Sequence, residues 1–490
     1  MPGSPRPFVA AHRGRPLAAA LAAALLASAC SSDDGPGPAG PEPVQPSVAS
    51  SEVAANPLNV ISAVVQADTR DAQTVRVEFG RAGAFEEATP EFPATGGVQQ
   101  LPVLGLHEES DYQLRVVATS TTGDTAVGAP LAFRTGALPA SIVDFQVIRS
   151  GPSSPGFTLL APSTVPYHPP VIVDLEGRVV WYRETSAIVA DFQLQPNGHY
   201  TGAVIVPNVN PFLGAEYEEW DVLGNLVDVW TAPGRITDLH ELRLLGDGNQ
   251  ALILGFSTTT GDLRPFGGPA GGTVVGNVLQ RLVRGGAVLF EWNSVDHYAL
   301  EDALPFAWVT AHPGGYDMVH ANAIEIDADG NYLISSRHLS EITKIDSETG
   351  DIIWRMGKGP ANEFTFLNDP HDGFHMQHTP RRLENGNLLL LDNGNFHAPP
   401  SSRAVEYAVD EGARTATLVW SFEPGIASCC MGNAQRLPGG NTLVALGNDF
   451  RVFEVTQGGQ VVWELRFPTP ANIFGFYRAF RVPSLYGNVD

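Results

Sequence analysis

The feature that most constrains the fold is a repeated unit of two strands around a glycine turn, ending in tryptophan. It occurs six times after residue 137, as VDLEGRVVW, DVLGNLVDVW, LVRGGAVLFEW, IDSETGDIIW, DEGARTATLVW and VTQGGQVVW. The six tryptophans are Trp181, Trp230, Trp292, Trp354, Trp420 and Trp463, spaced 43 to 66 residues apart. Such a unit buries its apolar face only by stacking against its neighbours, so the chain is expected to form a repeat architecture.

A second hairpin recurs in five of these repeats, around an Asn-Gly, Asp-Gly or Gly-Gly turn: LQPNGHY, LLGDGNQALIL, IDADGNYLIS, LENGNLLLL and LPGGNTLVAL. These dipeptides supply the positive φ angles that two-residue hairpin turns need. Two hairpins per repeat make one four-stranded sheet. The sequence therefore predicts an all-β chain with a six-bladed β-propeller over residues 140–490, in which the tryptophans pack between blades.

A second, smaller β domain is predicted over residues 51–137. Its short segments NVISAVVQA, TVRVEFG, DYQLRVVATS and GAPLAFRT alternate apolar and polar residues, which is typical of a β-sandwich. The stretch LGLHEESDYQLRVVATSTTG resembles a fibronectin type III segment, with Tyr112 at the place of the corner tyrosine. We expect a spacer or assembly module.

The N-terminus has the layout of a secretion signal: Arg13 and Arg15, an apolar run over residues 17–27, and then Cys30. The stretch LLASAC resembles the lipobox of bacterial lipoproteins, which implies a signal peptide over residues 1–30 with lipidation of Cys30. Plain secretion and an uncleaved anchor are the alternatives. Residues 31–50 are rich in Pro, Gly and Ser and are predicted to be a flexible linker. The expected product is a periplasmic or cell-surface lipoprotein, attached to a membrane by its lipid.

Composition excludes one class of partner. The 490 residues carry a formal charge of -24, so the surface repels polyanions and we expect no nucleic-acid partner. The chain has three cysteines, and two of them, Cys429 and Cys430, are adjacent. Adjacent cysteines are not a disulfide framework; two free thiols are expected, with a strained vicinal bridge as the alternative.

Candidate chemistry lies where the innermost strands of the blades begin. His240 and His378 each stand nine residues before the turn residues Asn249 and Asn387, and His320 stands eleven before Asn331. Equivalent positions in three consecutive blades should converge on the channel. By strand periodicity Asn322 is expected on the same face as His320, while Arg337 returns on the adjoining strand and Asn433 comes from the last blade.

At these residues the sequence resembles the bacterial aryl sulfotransferase family, whose members move a sulfuryl group between phenols without an adenosine phosphosulfate donor. The resemblance covers most of residues 140–490. It is densest over HANAIEIDADGNYLISSRHLSEITKIDSETGDIIWRMG and FTFLNDPHDGFHMQHTPRRLENGNLLLLDNGN. It implies a β-sandwich before a six-bladed propeller, and leaves open whether the sandwich mediates a homodimer.

The resemblance also implies the roles of the site residues. His378 would be the histidine that becomes transiently sulfated. His240, His320, Asn322 and Arg337 would surround the sulfuryl oxygens, with His320 as the acid and base. The partners would be an aryl sulfate and a phenol, with no cofactor and no metal. The sequence departs from the family pattern at Met376 and Thr379, beside the nucleophile. Trp308, Phe366 and Phe374 are candidates for apolar walls.

Two other functions remain open at this level. Three histidines around an axis are also a zinc-site pattern, which would make the chain a metallohydrolase with Glu241 or Asp372 as its base. Alternatively, the chain is a non-enzymatic lipoprotein propeller that serves as a binding or assembly scaffold in the cell envelope. Three further histidines are not expected in the site: His371 and His375 in a turn-rich loop, and His338, which should face away from the channel.

Overall fold

The segment before the repeats forms two sheets because its strands alternate buried and exposed side chains, as in AVVQADTR over residues 63–70. The computed structural model describes residues 45–142, 144–164, 169–206, 213–305, 315–467 and 473–487. The predicted signal peptide, Cys30 and most of the predicted linker lie outside these ranges. No helix within them is long and apolar enough to cross a membrane.

Nine strands make up the first two sheets: β1 (Ser47–Ala55), β2 (Ala63–Arg70), β3 (Thr74–Arg81), β4 (Glu87–Ala88), β5 (Phe92–Pro93), β6 (Val98–Val103), β7 (Asp111–Thr119), β8 (Thr125–Val127) and β9 (Leu131–Arg134). One sheet has the order β1-β2-β6 and the other β4-β3-β7-β8, with β5 on β3 and β9 on β7. Val65, Val77 and Leu114 share one buried core between them. β1 begins at Ser47, inside the segment that was predicted as linker. It is a strand there and not a linker, since it pairs along its length with β2.

The repeats form six more sheets. Their strands are β10 (Gln146–Arg149), β11 (Phe157–Thr164), β12 (Val171–Val173), β13 (Val179–Tyr182), β14 (Val189–Leu194), β15 (Tyr200–Ile205), β16 (Ala215–Trp220), β17 (Leu226–Trp230), β18 (Ile236–Leu245), β19 (Gln250–Gly261), β20 (Gly272–Val283), β21 (Val288–Asn293), β22 (Tyr316–Asp317), β23 (Ala321–Ile326), β24 (Tyr332–Ser336), β25 (Glu341–Ile345), β26 (Ile352–Gly357), β27 (Thr365–Leu367), β28 (His378–Arg382), β29 (Leu388–Asp392), β30 (Arg403–Asp410), β31 (Thr415–Phe422), β32 (Asn433–Arg436), β33 (Thr442–Leu446), β34 (Arg451–Val455), β35 (Val461–Arg466) and β36 (Ile473–Val482). Helix in the described ranges is limited to short 3-10 turns at Arg264–Phe266, Ser294–Asp296, Leu300–Asp302 and Gly447–Asp449. The chain is therefore all-β, as predicted.

Strand order shows how these sheets are built. The sheets are β13-β12-β11-β36, β14-β15-β16-β17, β18-β19-β20-β21 with β22 on β20, β23-β24-β25-β26, β28-β29-β30-β31-β27 and β32-β33-β34-β35-β10. Antiparallel neighbours within each of these sheets are consecutive strands joined by a hairpin, with two exceptions. β36 pairs with β11, and β10 pairs with β35, so each joins distant parts of the chain. The first of the six sheets thus combines the beginning and the end of the repeat region.

One edge strand of each sheet contacts the edge strand of the next. β14 contacts β18, β18 contacts β23, β23 contacts β28, β28 contacts β32, β32 contacts β36, and β36 contacts β14. The series of contacts returns to its starting strand. It brings the beginnings of β18, β23 and β28, where the sequence placed its candidate histidines, into one neighbourhood.

The repeat tryptophans lie on the fourth strand of each sheet, and five of the six are buried, as predicted; Trp420 is partly exposed. The indole N–H of Trp181 donates to the carbonyl of Val222 in the following sheet, and that of Trp463 donates to Leu175 in the same way (2.9 Å each). The tryptophans therefore connect neighbouring sheets as well as filling the space between them.

The hairpin turns were predicted in the right places but with the wrong length. Gln195 pairs with His199 across residues 196–198, and Gly198 has a φ of +82°. The turn has three residues and needs a positive φ only at its glycine, as in a type I turn followed by a left-handed residue. The same arrangement recurs at Gly330, Gly386 and Gly440.

Candidate active site

Three predicted histidines come together around a tyrosine that sequence reasoning did not single out. His240 lies in β18, His320 directly precedes β23, and His378 is the first residue of β28. The ring centroids of His240 and His320 are 4.9 Å apart. Tyr477, from β36, lies edge-on to His240 at 5.5 Å and to His378 at 6.4 Å. The three histidines therefore share one site.

His378 is held in a defined tautomer. Its Nδ1 lies 2.6 Å from Oδ1 of Asn393, whose amide NH2 group donates to the carbonyls of Ser428 and Met431. Because those two carbonyls fix which way the amide points, Nδ1 of His378 carries the proton and Nε2 keeps its lone pair. The backbone N–H of Met431 donates to that Nε2 at 3.3 Å.

The electrostatic surroundings of His378 favour its neutral form. Burial, followed by the charge of Arg337, holds the pKa of His378 well below its usual range. A neutral imidazole with a lone pair on one ring nitrogen is a nucleophile or a base, and burial keeps the ring neutral at neutral pH.

His240 and His320 each pair with a carboxylate through Nδ1. His240 contacts Oδ1 of Asp238, and His320 lies 2.6 Å from Oδ2 of Asp317. Both contacts are short, and both carboxylates are buried and so shielded from solvent. Each carboxylate contacts Nδ1 and so fixes the orientation of its ring. The two pairs are suited to giving and taking protons.

The two Asp-His pairs are tied together by a buried asparagine. The amide NH2 group of Asn277 donates to Asp238 at 2.7 Å, and its Oδ1 accepts from the Ala321 N–H at 2.8 Å. Ala321 follows His320, whose φ is +51°, a strained value for a residue other than glycine. The start of β23, directly after His320, is thereby positioned relative to the Asp238 carboxylate.

Arg337 belongs to this site, and so does His338, which the sequence predicted to face away. Nη1 of Arg337 lies 3.1 Å from Nε2 of His338, and Nη2 donates to the Cys429 carbonyl at 3.1 Å. Nδ1 of His338 donates to the Asp317 carbonyl at 2.6 Å. Arg337 and His338 follow β24 in a tight turn rather than on a strand, so alternation does not apply to them. Burial lowers the pKa of His338 to about 3, which keeps it a neutral acceptor for the guanidinium.

Asn322 contacts the backbone directly before β28, which begins with His378. Its amide donates to the Gln377 carbonyl at 2.7 Å, one residue before His378. The prediction that strand alternation places Asn322 beside His320 was wrong in its reasoning, because His320 precedes the strand and the register shifts between Ala321 and Ala323. The Oδ1 of Asn322 is buried without a hydrogen-bond partner.

Buried ion pairs lie next to the cluster of histidines and Tyr477. Arg478, next to Tyr477 on β36, is fully buried and bridges Asp191 at 2.8 Å and Glu241 at 3.0 Å. Arg381 also pairs with Glu241 at 2.5 Å. Burial would raise the pKa of Glu241, but the charges of Arg381 and Arg478 outweigh it and lower that pKa. Glu241 is thus committed to ion pairs and is not placed as a catalytic base.

The metal alternative does not fit the donor atoms. One group of three potential ligands within the described ranges, Asp317, His320 and His338, has its donor atoms within 4.8 Å of one another. Nδ1 of His338 already donates to a carbonyl, and its Nε2 faces the cationic Arg337. A metal ion there would lie against a guanidinium. The described histidines His240, His320 and His378 do not together form such a group.

Several other predicted residues have structural roles. Phe366 and Phe374 pack on Tyr407 in the core between two sheets, so they are not walls of the site. Asn433 joins β32 to β36 through both backbone groups of Ala479. Asp372 is exposed and pairs with Lys358. Trp308 lies outside the described residues.

His371 and His375 stay apart from the cluster, as expected. They belong to a second group of rings in which His371 stacks on His397 at 3.9 Å and His375 lies edge-on to Phe396.

Met376 and Thr379, the two residues that depart from the family pattern, lie on either side of His378 in left-handed conformations, with φ of +59° and +53°. The Thr379 hydroxyl donates to the Gly432 carbonyl, while Asn393 supplies the partner of His378.

Sequence reasoning missed five residues of this site: Asp238, Asp317, His338, Asn393 and Tyr477. The two aspartates had a signal, because each stands two or three residues before a candidate histidine. Asn393, in the DNGN turn, had a weaker one. Tyr477 comes from the last strand of the chain, and nothing in its local sequence connects it to His240.

Comparison with known proteins shows which family the chain belongs to. A family model described as Arylsulfotransferase (ASST) matches residues 150–466, and no curated protein matches the chain. Similar solved structures include a protein of unknown function from Bacteroides caccae, at 14% identity and a TM-score of 0.41, over 66% of this chain and 98% of that one. A catalytically inactive virginiamycin B lyase from Staphylococcus aureus matches at 10% identity and a TM-score of 0.33, over 65% of this chain and 87% of that one. Because the family model covers well over half of the chain, including every histidine of the cluster, the chain belongs to the arylsulfotransferase (ASST) family.

Proposed function

We propose that the chain transfers a sulfuryl group from an aryl sulfate to a phenol through a covalent sulfohistidine at His378. The observation that carries the proposal is the state of His378: Nδ1 is protonated against Asn393, and Nε2 presents a lone pair in a site lined by Arg337 and two Asp-His pairs. A nucleophile, a fixed cation and a proton carrier are the parts that this reaction needs.

In the first half-reaction, Nε2 of His378 attacks the sulfur of the aryl sulfate. An S–N bond forms, the S–O bond to the aryl group breaks, and the phenolate leaves with the electron pair. His320 protonates the leaving oxygen. Its side chain is 29% exposed, so it exchanges protons with solvent, and its partner Asp317 stabilises the imidazolium form.

In the second half-reaction a different phenol occupies the place of the first. The now neutral His320 removes its proton, the phenol oxygen attacks sulfur, and the S–N bond breaks. His378 returns to its neutral form. The kinetics are therefore ping-pong, with donor and acceptor using one site in turn.

The negative charge on the three peripheral sulfuryl oxygens needs fixed donors. Arg337 supplies a guanidinium held between His338 and the Cys429 carbonyl, and the Met431 N–H next to Nε2 is placed to donate to an oxygen once sulfur takes up the lone pair. These donors are positioned before the substrate arrives, so little reorganisation is needed during the reaction.

We also infer the wider organisation from the sequence and these contacts. The closed series of six sheets supports a six-bladed propeller, and the two sheets of residues 47–134 support a fibronectin-III-like sandwich before it. The lipobox-like stretch supports a lipoprotein attached through Cys30 and located in the periplasm or at the cell surface.

The test uses metal-stripped protein, an aryl sulfate donor and a second phenol. We expect transfer by the parent, with sulfate on the peptide that contains His378, and neither in a His378→Ala variant. His371→Ala, a histidine outside the cluster, is the matched control and should transfer sulfate at the parent's rate.

Three results would contradict the proposal. Transfer by His378→Ala would exclude the covalent intermediate at that residue. Activity only after zinc is added would favour a metal mechanism. Folded protein that transfers nothing over a broad panel of phenols would favour the binding scaffold.

A further inference from the structure

The loop between β31 and β32 contacts His378, its partner Asn393 and Arg337. Its residues Ser428–Met431 accept from Asn393 at two carbonyls, accept from Arg337 at the Cys429 carbonyl, and donate from the Met431 N–H to His378. The nucleophile, its partner and the cation thus all depend on the path of four consecutive residues.

The same loop carries the adjacent cysteines. The Sγ atoms of Cys429 and Cys430 lie 2.7 Å apart, and both residues are free cysteines. Cys429 is exposed and Cys430 partly so, which leaves them open to a reagent from solvent. The proposed reaction does not use the sulfur atoms of this pair.

Covalent geometry connects these thiols to Arg337. Consecutive Cα atoms are about 3.8 Å apart across a trans peptide, whereas the Cα atoms of a disulfide are usually at least about 4.4 Å apart. A bond between Cys429 and Cys430 therefore distorts the one peptide unit inside its ring. The carbonyl of that unit is the Cys429 carbonyl, which accepts the hydrogen bond from Arg337.

We propose that Cys429 and Cys430 form a redox-active vicinal pair, and that closing their disulfide turns the Cys429 carbonyl away from Arg337 and switches the site off. The inference rests on the proposed function for its effect on catalysis, but not for the bond itself. A strained disulfide is readily reduced, which suits a reversible switch.

The chemistry needs an oxidant, and a small-molecule disulfide supplies it. The Cys429 thiolate attacks one sulfur of the reagent, forms a mixed disulfide and releases one thiol. The Cys430 sulfur, after losing its proton, then attacks Cys429 and releases the second thiol. The hydrogen bond from Cys430, together with the charge of Arg337, lowers the pKa of Cys429 to about 6, so Cys429 is the attacking sulfur.

The experiment uses the full chain with Cys30→Ser, so that the pair provides the only thiols. The protein is treated with oxidised glutathione, mapped by mass spectrometry and assayed for sulfuryl transfer before and after a phosphine reductant. We expect the peptide with both cysteines to lose two hydrogen atoms. We also expect kcat/KM to fall roughly ten- to hundredfold, as for a lost charged hydrogen bond, and to recover on reduction. A Cys429→Ala/Cys430→Ala variant should be insensitive to the oxidant.

Each arm gives a separate answer. Mixed glutathione adducts or intermolecular disulfides without the internal bond would overturn the proposal, and so would a closed bond with unchanged transfer. Reduced protein that transfers nothing refutes the proposed function instead. In that case crystal structures of both redox forms decide the inference, and a Cys429 carbonyl still bonded to Arg337 in the oxidised form would overturn it.

Discussion

Replacing Asn393 by aspartate should raise the pKa of His378, the proposed nucleophile, and move the acid limb of its reaction to higher pH. The substitution puts a carboxylate where Oδ1 of Asn393 lies, 2.6 Å from Nδ1 of His378. Two opposite unit charges about 4 Å apart attract by about 4 kcal/mol at an effective dielectric constant of about 20. At about 1.4 kcal/mol per unit, the pKa of His378 should rise by about three units.

The sign of the pH effect follows from the nucleophilic form. In the parent, burial and Arg337 keep the pKa of His378 far below neutral, so the neutral ring is present throughout the neutral range. In Asn393→Asp the ring gains a proton as pH falls through the raised pKa. The rate of the first half-reaction should therefore fall on the acid side, with a limb displaced upward by about three pH units.

The assay is the single-turnover burst of phenol release from an aryl sulfate, measured across pH. The variant also loses the amide donor to Ser428 and Met431, and damage to that loop lowers the plateau at high pH without moving the limb. Asn395→Asp, two residues away in the same turn, is the control and should keep the parent's profile. An Asn393→Asp limb at the parent's position would refute the assignment of Nδ1 as the protonated nitrogen.

Three further predictions concern the residues around the cluster. Asp317→Asn removes the charged partner of His320 and should lower kcat roughly ten- to hundredfold in steady-state transfer assays. Arg478→Met leaves Asp191 as a buried charge without its cation and should lower the free energy of unfolding by about 3–5 kcal/mol, measured by urea denaturation. His338 has a folded-state pKa of about 3 against roughly 6.5 when unfolded, so its contribution to stability is complete above about pH 6.5 and is lost as pH falls toward 3. His338→Gln should therefore show a shallower loss of melting temperature between those limits than the parent.

Each of these predictions has its own control. Asp372→Asn, at an exposed ion pair, should keep full activity, and equal losses in both variants would contradict a role for Asp317. Arg466→Met removes a partly exposed arginine and should cost less than about 1 kcal/mol. A melting temperature in His338→Gln that falls as steeply as the parent's would show that His338 is not the residue titrating.

The repeat made much of this architecture predictable. Glycine turns and tryptophan strands recur with a period, so sheet number, strand order and the starting points of the inner strands follow from counting. His240 and His378 were found in that way, since both stand at the same offset from a turn. Counting residues from a turn locates them because turn chemistry sets the register of a hairpin locally.

The rest of the site depends on backbone that leaves the repeat. His320 has a left-handed conformation before its strand, Asn322 lies at a register shift, and Arg337 and His338 sit in a turn. Alternation assumes a regular strand and gave the wrong orientation for His338. Asn393 directly follows β29, the hairpin partner of β28, but only the hydrogen bonds around it show its role. Tyr477 reaches His378 from β36, and that contact arises only from packing between sheets.

The sheet that joins β11 to β36 ties the assembly of this site to protein synthesis. Residues 157–164 leave the ribosome more than 300 residues before their partner strand at Ile473–Val482. Until that strand arrives, β11 has an open edge, and His240 lacks Tyr477 while Asp191 lacks Arg478. A nascent chain, or one cut short before Ile473, would expose this unpaired edge and leave Asp191 without its cation, and an unpaired strand edge makes a chain prone to aggregate.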